Sequence, residues 1–121
     1  MDRQGNHFYE FGAMRLDATN RLLYRNGVNV PLQPMLAETL VALVENASTV
    51  LDKESLIEAV WGNTSVEEGG LKRNISMLRK ALGDEGRFIE TLPKRGYRFT
   101  AEVKESWEQV LQVHRVMQPS L

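Results

Sequence analysis

The stretch Leu71-Lys72-Arg73-Asn74-Ile75-Ser76-Met77-Leu78-Arg79-Lys80-Ala81-Leu82 decides the fold, because it divides one helix into two chemically opposite sides. At roughly 100° per residue, Leu71, Ile75, Leu78 and Leu82 fall on one narrow apolar stripe. Lys72, Arg73, Ser76 and Lys80 crowd the opposite side, with Arg79 at its edge. One side suits a core and the other suits an anion. Further along, Thr91-Leu92-Pro93-Lys94-Arg95-Gly96-Tyr97-Arg98-Phe99 places a turn with two cations between two short strand-like segments. A basic helix followed by a basic hairpin points to nucleic acid.

The charge distribution agrees with that reading although the net charge of −1 does not. Residues 69–100 hold eight Lys/Arg against three acids, a balance of +5, which leaves seven against thirteen, or −6, for the remainder. A basic face on an acidic body steers a polyanion through its local potential, whatever the total charge.

At 121 residues, without a Pro/Gly/Ser-rich stretch to split it, the chain is long enough for one domain with a real core. Its 42% hydrophobic and 26% charged content are those of an ordinary globular protein. Zero cysteines exclude disulfides and thiolate metal sites, and the isolated His7 and His114 do not make a zinc site, so no metal or cofactor is expected. No apolar run approaches the roughly 18 residues of a membrane span, and the polar start lacks a signal peptide's apolar core. The expected location is the cytoplasm, either free or as the cytoplasmic part of a membrane-anchored regulator. No Ser/His/Asp or Cys/His set, phosphate loop or evident carboxylate pair supports an enzyme.

Taken in order, Phe8–Phe11 and Met14–Leu16 read as short strands. Leu22–Tyr24 and Val28–Val30 flank Arg25-Asn26-Gly27, in which Asn-Gly supplies the positive φ angles of a tight hairpin. A small antiparallel sheet therefore opens the domain. Pro34 suits a first helical turn behind a weak cap, Gln33, and Leu36, Leu40, Leu43, Val44 and Ala47 repeat at helical spacing, giving a first helix over about 34–46. Val50-Leu51 runs extended. Asp52 is a good N-cap for a second helix buried through Leu56, Ile57, Val60 and Trp61 and ended by Gly62. After a polar loop from Asn63 to Glu68, the third helix is expected over about Gly70–Leu82, stopped by Gly83-Asp84-Glu85-Gly86. Beyond the hairpin, Ser106 and Gln109 form a capping-box pattern, and Trp107, Val110, Leu111, His114 and Met117 follow at helical spacing, so a short C-terminal amphipathic helix or linker is expected over 105–121. Its apolar side would dock on the domain or meet a partner. The fold class is α+β: a winged helix-turn-helix domain over 1–104, with an N-terminal antiparallel sheet, three helices and a C-terminal hairpin wing.

Three ordered blocks then resemble the OmpR/PhoB-type winged-helix DNA-binding domain over roughly residues 8–101. They are Leu56-Ile57-Glu58-Ala59-Val60-Trp61-Gly62, Ile75–Gly83 and Ile89–Phe99. The resemblance implies that Gly70–Leu82 enters a major groove, that Thr91–Phe99 is a wing in the neighbouring minor groove, and that the loop Asn63 to Glu68 is a possible contact for RNA polymerase. It also implies phosphate contacts at Trp61 and Tyr97, with Thr91 beside them, although the residue pattern equally accommodates Trp61 and Tyr97 in the core. Many members begin the recognition helix with Arg-Thr and carry Arg where this chain has Met77; here Gly69-Gly70 and a methionine stand instead, so base preference is not inherited. In response regulators of this type a receiver precedes the domain, whereas here Met1 stands seven residues before the first strand and no receiver is expected. That layout resembles CadC/ToxR-like one-component regulators.

The expected function is sequence-specific binding of double-stranded DNA as a bacterial transcription regulator. Lys72, Arg73, Ser76, Met77 and Lys80 would face the major groove, flanked by Asn74 and Arg79, with Lys94 and Arg95 at the wing tip and Arg98 behind them. Self-association is expected to be weak or induced by DNA. The alternative is a winged helix for protein contact, with the Trp107 helix as its binding element.

Overall fold

Asn26 and Gly27 both take positive φ, 49° and 85°, and the tight turn they form sets the register of the first sheet. The structure, a computed structural model, describes residues 5–62 and 68–108. The strands are β1 (Asn6–Phe11), β2 (Met14–Asp17), β3 (Leu22–Arg25), β4 (Val28–Val30), β5 (Val50–Leu51), β6 (Ile89–Leu92), β7 (Gly96–Phe99) and β8 (Lys104–Glu108). The helices are α1 (Pro34–Glu45), α2 (Lys53–Trp61) and α3 (Glu68–Leu82), and a 3-10 helix follows over Gly83–Phe88. One antiparallel sheet has the order β4-β3-β2-β1-β8 and the other β5-β7-β6.

Period-two burial explains the first sheet. Tyr9, Phe11, Met14, Leu16 and Leu23 point into one core with the helices. Phe11 meets Phe99 of β7 edge to face at 4.9 Å, which joins the two sheets. Helix α1 has Pro34 at its first turn and no side-chain cap from Gln33, as its sequence implied. In α2, Asp52 accepts a 2.7 Å bond from the Ser55 N–H, and these bonds hold the exposed Asp52 carboxyl below its ordinary pKa.

Two expectations need correction. Helix α3 begins at Glu68, so Gly69 and Gly70 lie inside it, each weakening that first turn by up to about 1 kcal/mol. The stop after Leu82 takes the form of a 3-10 helix. Ser106 and Trp107 do not start a helix: they belong to β8, which pairs with β1 in the register Phe8↔Ser106 and His7↔Trp107 and carries the sheet past the expected boundary at residue 104. The Trp107 indole stacks on His7 at 3.9 Å, and His7 Nε2 lies 2.6 Å from Glu105 Oε2. An edge strand available for pairing outweighed a local capping pattern, as tertiary contacts routinely outweigh propensity. The rest of the expected C-terminal helix, 109–121, lies outside the described residues.

Candidate nucleic-acid interface

Helix α3 presents its two sides as its spacing demands. Leu71, Ile75, Leu78 and Leu82 are each 2% exposed or less, and burying each stabilises the fold by roughly 1.5–3 kcal/mol. Lys72, Arg73, Ser76, Met77 and Lys80 are exposed. Among the described residues, Lys72, Arg73 and Lys80 have no ion-pair or hydrogen-bond partner, so their charges are directed to solvent.

The two expected flanking residues behave differently. Asn74 is buried rather than at the groove's edge: its Nδ2 donates to Thr39 Oγ1 and, at 3.5 Å, to Met35 O, tying α3 to α1. The reason is geometric, since position 74 is three residues after Leu71 and four before Leu78, on the inward side. Arg79 is half-buried. Its Nε and Nη2 donate to Ile89 O at 3.2 and 2.6 Å, and Nη2 also donates to Thr91 Oγ1 at 2.7 Å. Those bonds fasten the recognition helix to β6, the first strand of the wing.

In the wing, the exposed Lys94 and Arg95 occupy the tip, Lys94 at φ 65°, and the turn is closed by Arg95 N–H donating to Leu92 O at 2.9 Å. Arg98 does not join them. Cross-strand pairs alternate faces, so the pair Glu90↔Arg98 lies on the side opposite Thr91↔Tyr97. Arg98 donates to Glu90 Oε1 at 2.9 and 2.7 Å, a half-exposed pair that satisfies the guanidinium within the hairpin.

Between α3 and the wing lies a cleft of ≈ 220 Å³ lined by Lys53, Lys72, Lys94, Thr91 and Tyr97, among others. Three lysines from three elements thus converge on one concavity. Tyr97 is 4% exposed and part of the core cluster, and it also lines this cleft. Trp61 is partly buried against the same core. Lys53 is a cation of this cleft that the sequence reading did not single out. It is the first residue of α2, and the pairing Leu51↔Tyr97 between β5 and β7 brings it to the wing. Its position just after the Asp52 cap was visible, but that long-range pairing was not. The loop 63–67 lies outside the described residues.

Among the described residues no helix is long and apolar enough to cross a membrane. The profile described as "Transcriptional regulatory protein, C terminal" matches residues 27–99. The transcriptional regulator HilA of Salmonella typhimurium is 40% identical over 83 residues, 67% of this chain and 15% of HilA. The transcriptional activator CadC of Escherichia coli is 36% identical over 83 residues, 65% of this chain and 16% of CadC. The chain therefore aligns with only about a sixth of the length of these relatives. Among solved structures, the DNA-binding domain of E. coli CadC superposes with a TM-score of 0.72 at 30% identity, covering 88% of this chain and all of that one. The Klebsiella pneumoniae RstA DNA-binding domain, solved in complex with the RstA box, superposes with a TM-score of 0.67 at 28% identity, covering 77% and 96%. The chain belongs to the transcriptional regulatory protein C-terminal family, the OmpR/PhoB-type winged helix-turn-helix domains.

Proposed function

We propose that this chain binds double-stranded DNA sequence-specifically as part of a bacterial transcription regulator, with α3 in the major groove and the β6–β7 wing in the adjacent minor groove. The observation that carries this reading is the segregation of Lys72, Arg73, Lys80, Lys94 and Arg95, all exposed, on the recognition helix and the wing tip. A duplex strand that separates a major from a minor groove would run through the cleft between those elements, where Lys53, Lys72 and Lys94 meet its phosphates and fix the register. Tyr97 and Thr91 wall the same passage, in keeping with phosphate contact. Arg73, Ser76, Met77 and Lys80 then reach base edges, with the Met77 side chain suited to a thymine methyl. The CadC and RstA domains supply the analogy in fold, and RstA the example with DNA.

Two finer parts of the proposal rest on the family resemblance: contact with RNA polymerase through the loop 63–68, and self-association on DNA at half-sites about one helical turn apart. The rival reading, protein contact through a Trp107 helix, loses its binding element, because Trp107 is in β8. Titrating the chain with labelled duplex of unrelated sequence across a range of salt tests the proposal. Each neutralised phosphate contributes about −0.9 to the slope of log K against log salt, so the three lysines of the cleft on three phosphates give a slope of about −2.7. A flat response overturns it.

A further inference from the structure

Helix α3 is held to the core by an apolar stripe, and apolar packing is non-directional: it resists separation more than small rotations or slides along the helix axis. Directional bonds fix those degrees of freedom. One is Asn74 to Thr39 in the middle of the helix. A second set sits at the C-terminal end and comes from the other side of the molecule, where the N-terminal sheet turns back on itself.

Arg25, the last residue of β3, donates from Nη2 to the carbonyl of Leu82, the final residue of α3. The C-terminal end of a helix favours a cation, so this guanidinium adds a charged donor to the carbonyl at which α3 passes into the 3-10 helix. Arg25 Nη1 lies 2.8 Å from Glu85 Oε1 as an ion pair, and Glu85 Oε2 accepts from the Ala13 N–H at 3.3 Å in the β1–β2 turn. Glu85 is 8% exposed. Two glycines are shaped around this pair. At Gly12, φ 55°, a Cβ would stand 2.9 Å from Glu85 Cγ, and at Gly83, φ 64°, a Cβ would stand 2.9 Å from Arg25 Nη2. At both positions the positive φ favours glycine, and a Cβ there would displace the Glu85 or Arg25 side chain from its present place.

We propose that Arg25 and Glu85 are a positioning pair: they pin the C-terminal end of the recognition helix to the N-terminal sheet and so set its sequence discrimination without touching DNA. The inference rests on the proposed DNA-binding function. Reading base edges needs side chains held within about 0.5 Å of their productive geometry, whereas flexible lysines reach phosphates from a range of helix orientations. Loosening the pin therefore damages discrimination first and general affinity little. The pair also explains why an acidic residue is buried directly after a basic helix: its negative charge faces the sheet, away from Lys72, Arg73 and Lys80.

The test uses the whole chain and the duplex that the wild type itself selects from a randomised library, with a scrambled duplex as reference. Arg25→Met, Arg25→Lys and Glu85→Gln are compared with wild type for affinity on both duplexes, for the salt slope on the scrambled one, and for Tm. Arg25→Met is expected to lower the selected-to-scrambled ratio at least about tenfold while leaving scrambled affinity and salt slope unchanged. Arg25→Lys, whose compact ammonium lacks the planar fork that reaches Leu82 and Glu85 through separate nitrogens, is expected to fall between, and it supplies the test should Arg25→Met fail to fold. Equal loss on both duplexes marks a purely structural role and overturns the inference, as does an unchanged ratio in Arg25→Lys and Glu85→Gln. Failure of the wild type to select any duplex overturns the DNA-binding reading and this inference with it, so the two failures are distinguishable.

Discussion

Helices α1 and α3 touch through Thr39 and Asn74, yet they are buried in opposite ways. In α1 every residue from Thr39 to Val44 is buried, so nothing on that stretch is left to meet another molecule. In α3 burial returns only at Leu71, Asn74, Ile75, Leu78 and Leu82, and the positions between carry exposed cations and a methionine. A stretch of helix enclosed on all sides is scaffold. A helix that keeps a charged, unpaired side in water while its other side is fully packed has a surface to give to an outside partner, and here that partner is an anion. The same contrast separates the basic residues. Arg25, Arg79 and Arg98 are bonded inside the molecule, whereas Lys72, Arg73, Lys80, Lys94 and Arg95 have no hydrogen-bond or ion-pair partner among the described residues.

The contrast is broken most forcefully from the inward side. Leu78→Ala should destabilise the fold by about 2–5 kcal/mol, read by denaturant unfolding, because a fully buried side chain leaves a cavity. Asn74→Ala should cost about 1–3 kcal/mol by leaving Thr39 and its surroundings without the amide. If Asn74 were instead a groove residue, stability would hold and DNA affinity alone would fall.

Acid sharpens the comparison at the end of α3. Burial pushes the Glu85 carboxyl up, but the Ala13 N–H and the Arg25 guanidinium outweigh it and hold the group below its ordinary value of 4.5. A depressed carboxylate stabilises the fold above its unfolded pKa and loses that contribution as pH falls through the folded one. Unfolding midpoints should therefore drop below about pH 4.5 more steeply in wild type than in Glu85→Gln. Parallel curves would show that Glu85 contributes nothing. On the outward side the effect on stability is smallest: Lys94→Ala with Arg95→Ala should leave Tm nearly unchanged, since both side chains are exposed, within about 0.5 kcal/mol per residue. The double change should weaken binding more on A/T-flanked than on G/C-flanked duplexes, because a narrow minor groove concentrates negative potential. Equal losses would make the wing a general phosphate clamp.

Local chemistry made most of the fold legible. Asn26-Gly27 announced a hairpin, Asp52 capped α2, and the stripe of α3 separated core from surface before any contact was known. The exposure of Lys72, Arg73, Ser76 and Lys80 followed from the same period. What could not be read depends on residues far apart in the chain. Lys53 reaches the cleft through a β5–β7 pairing, Arg79 is drawn to Ile89 O and Thr91, and β8 forms because β1 has an open edge. Arg98 and Asn74 are a different case. Period-two alternation and helical spacing already place one on the far face of the hairpin and the other on the buried side, but their polar chemistry suggested a ligand instead.

The most direct measurement is amide chemical-shift mapping of the isotope-labelled chain as duplex DNA is added. The expected result is perturbation centred on Lys72, Arg73, Ser76, Met77 and Lys80 in α3, on Lys94 and Arg95 in the wing, and on Lys53 at the start of α2, with β2, β3 and the interior of α1 unmoved. Perturbation concentrated on β1 and β8 around His7 and Trp107, with α3 and the wing silent, would contradict the assignment of the outward side of α3 to DNA.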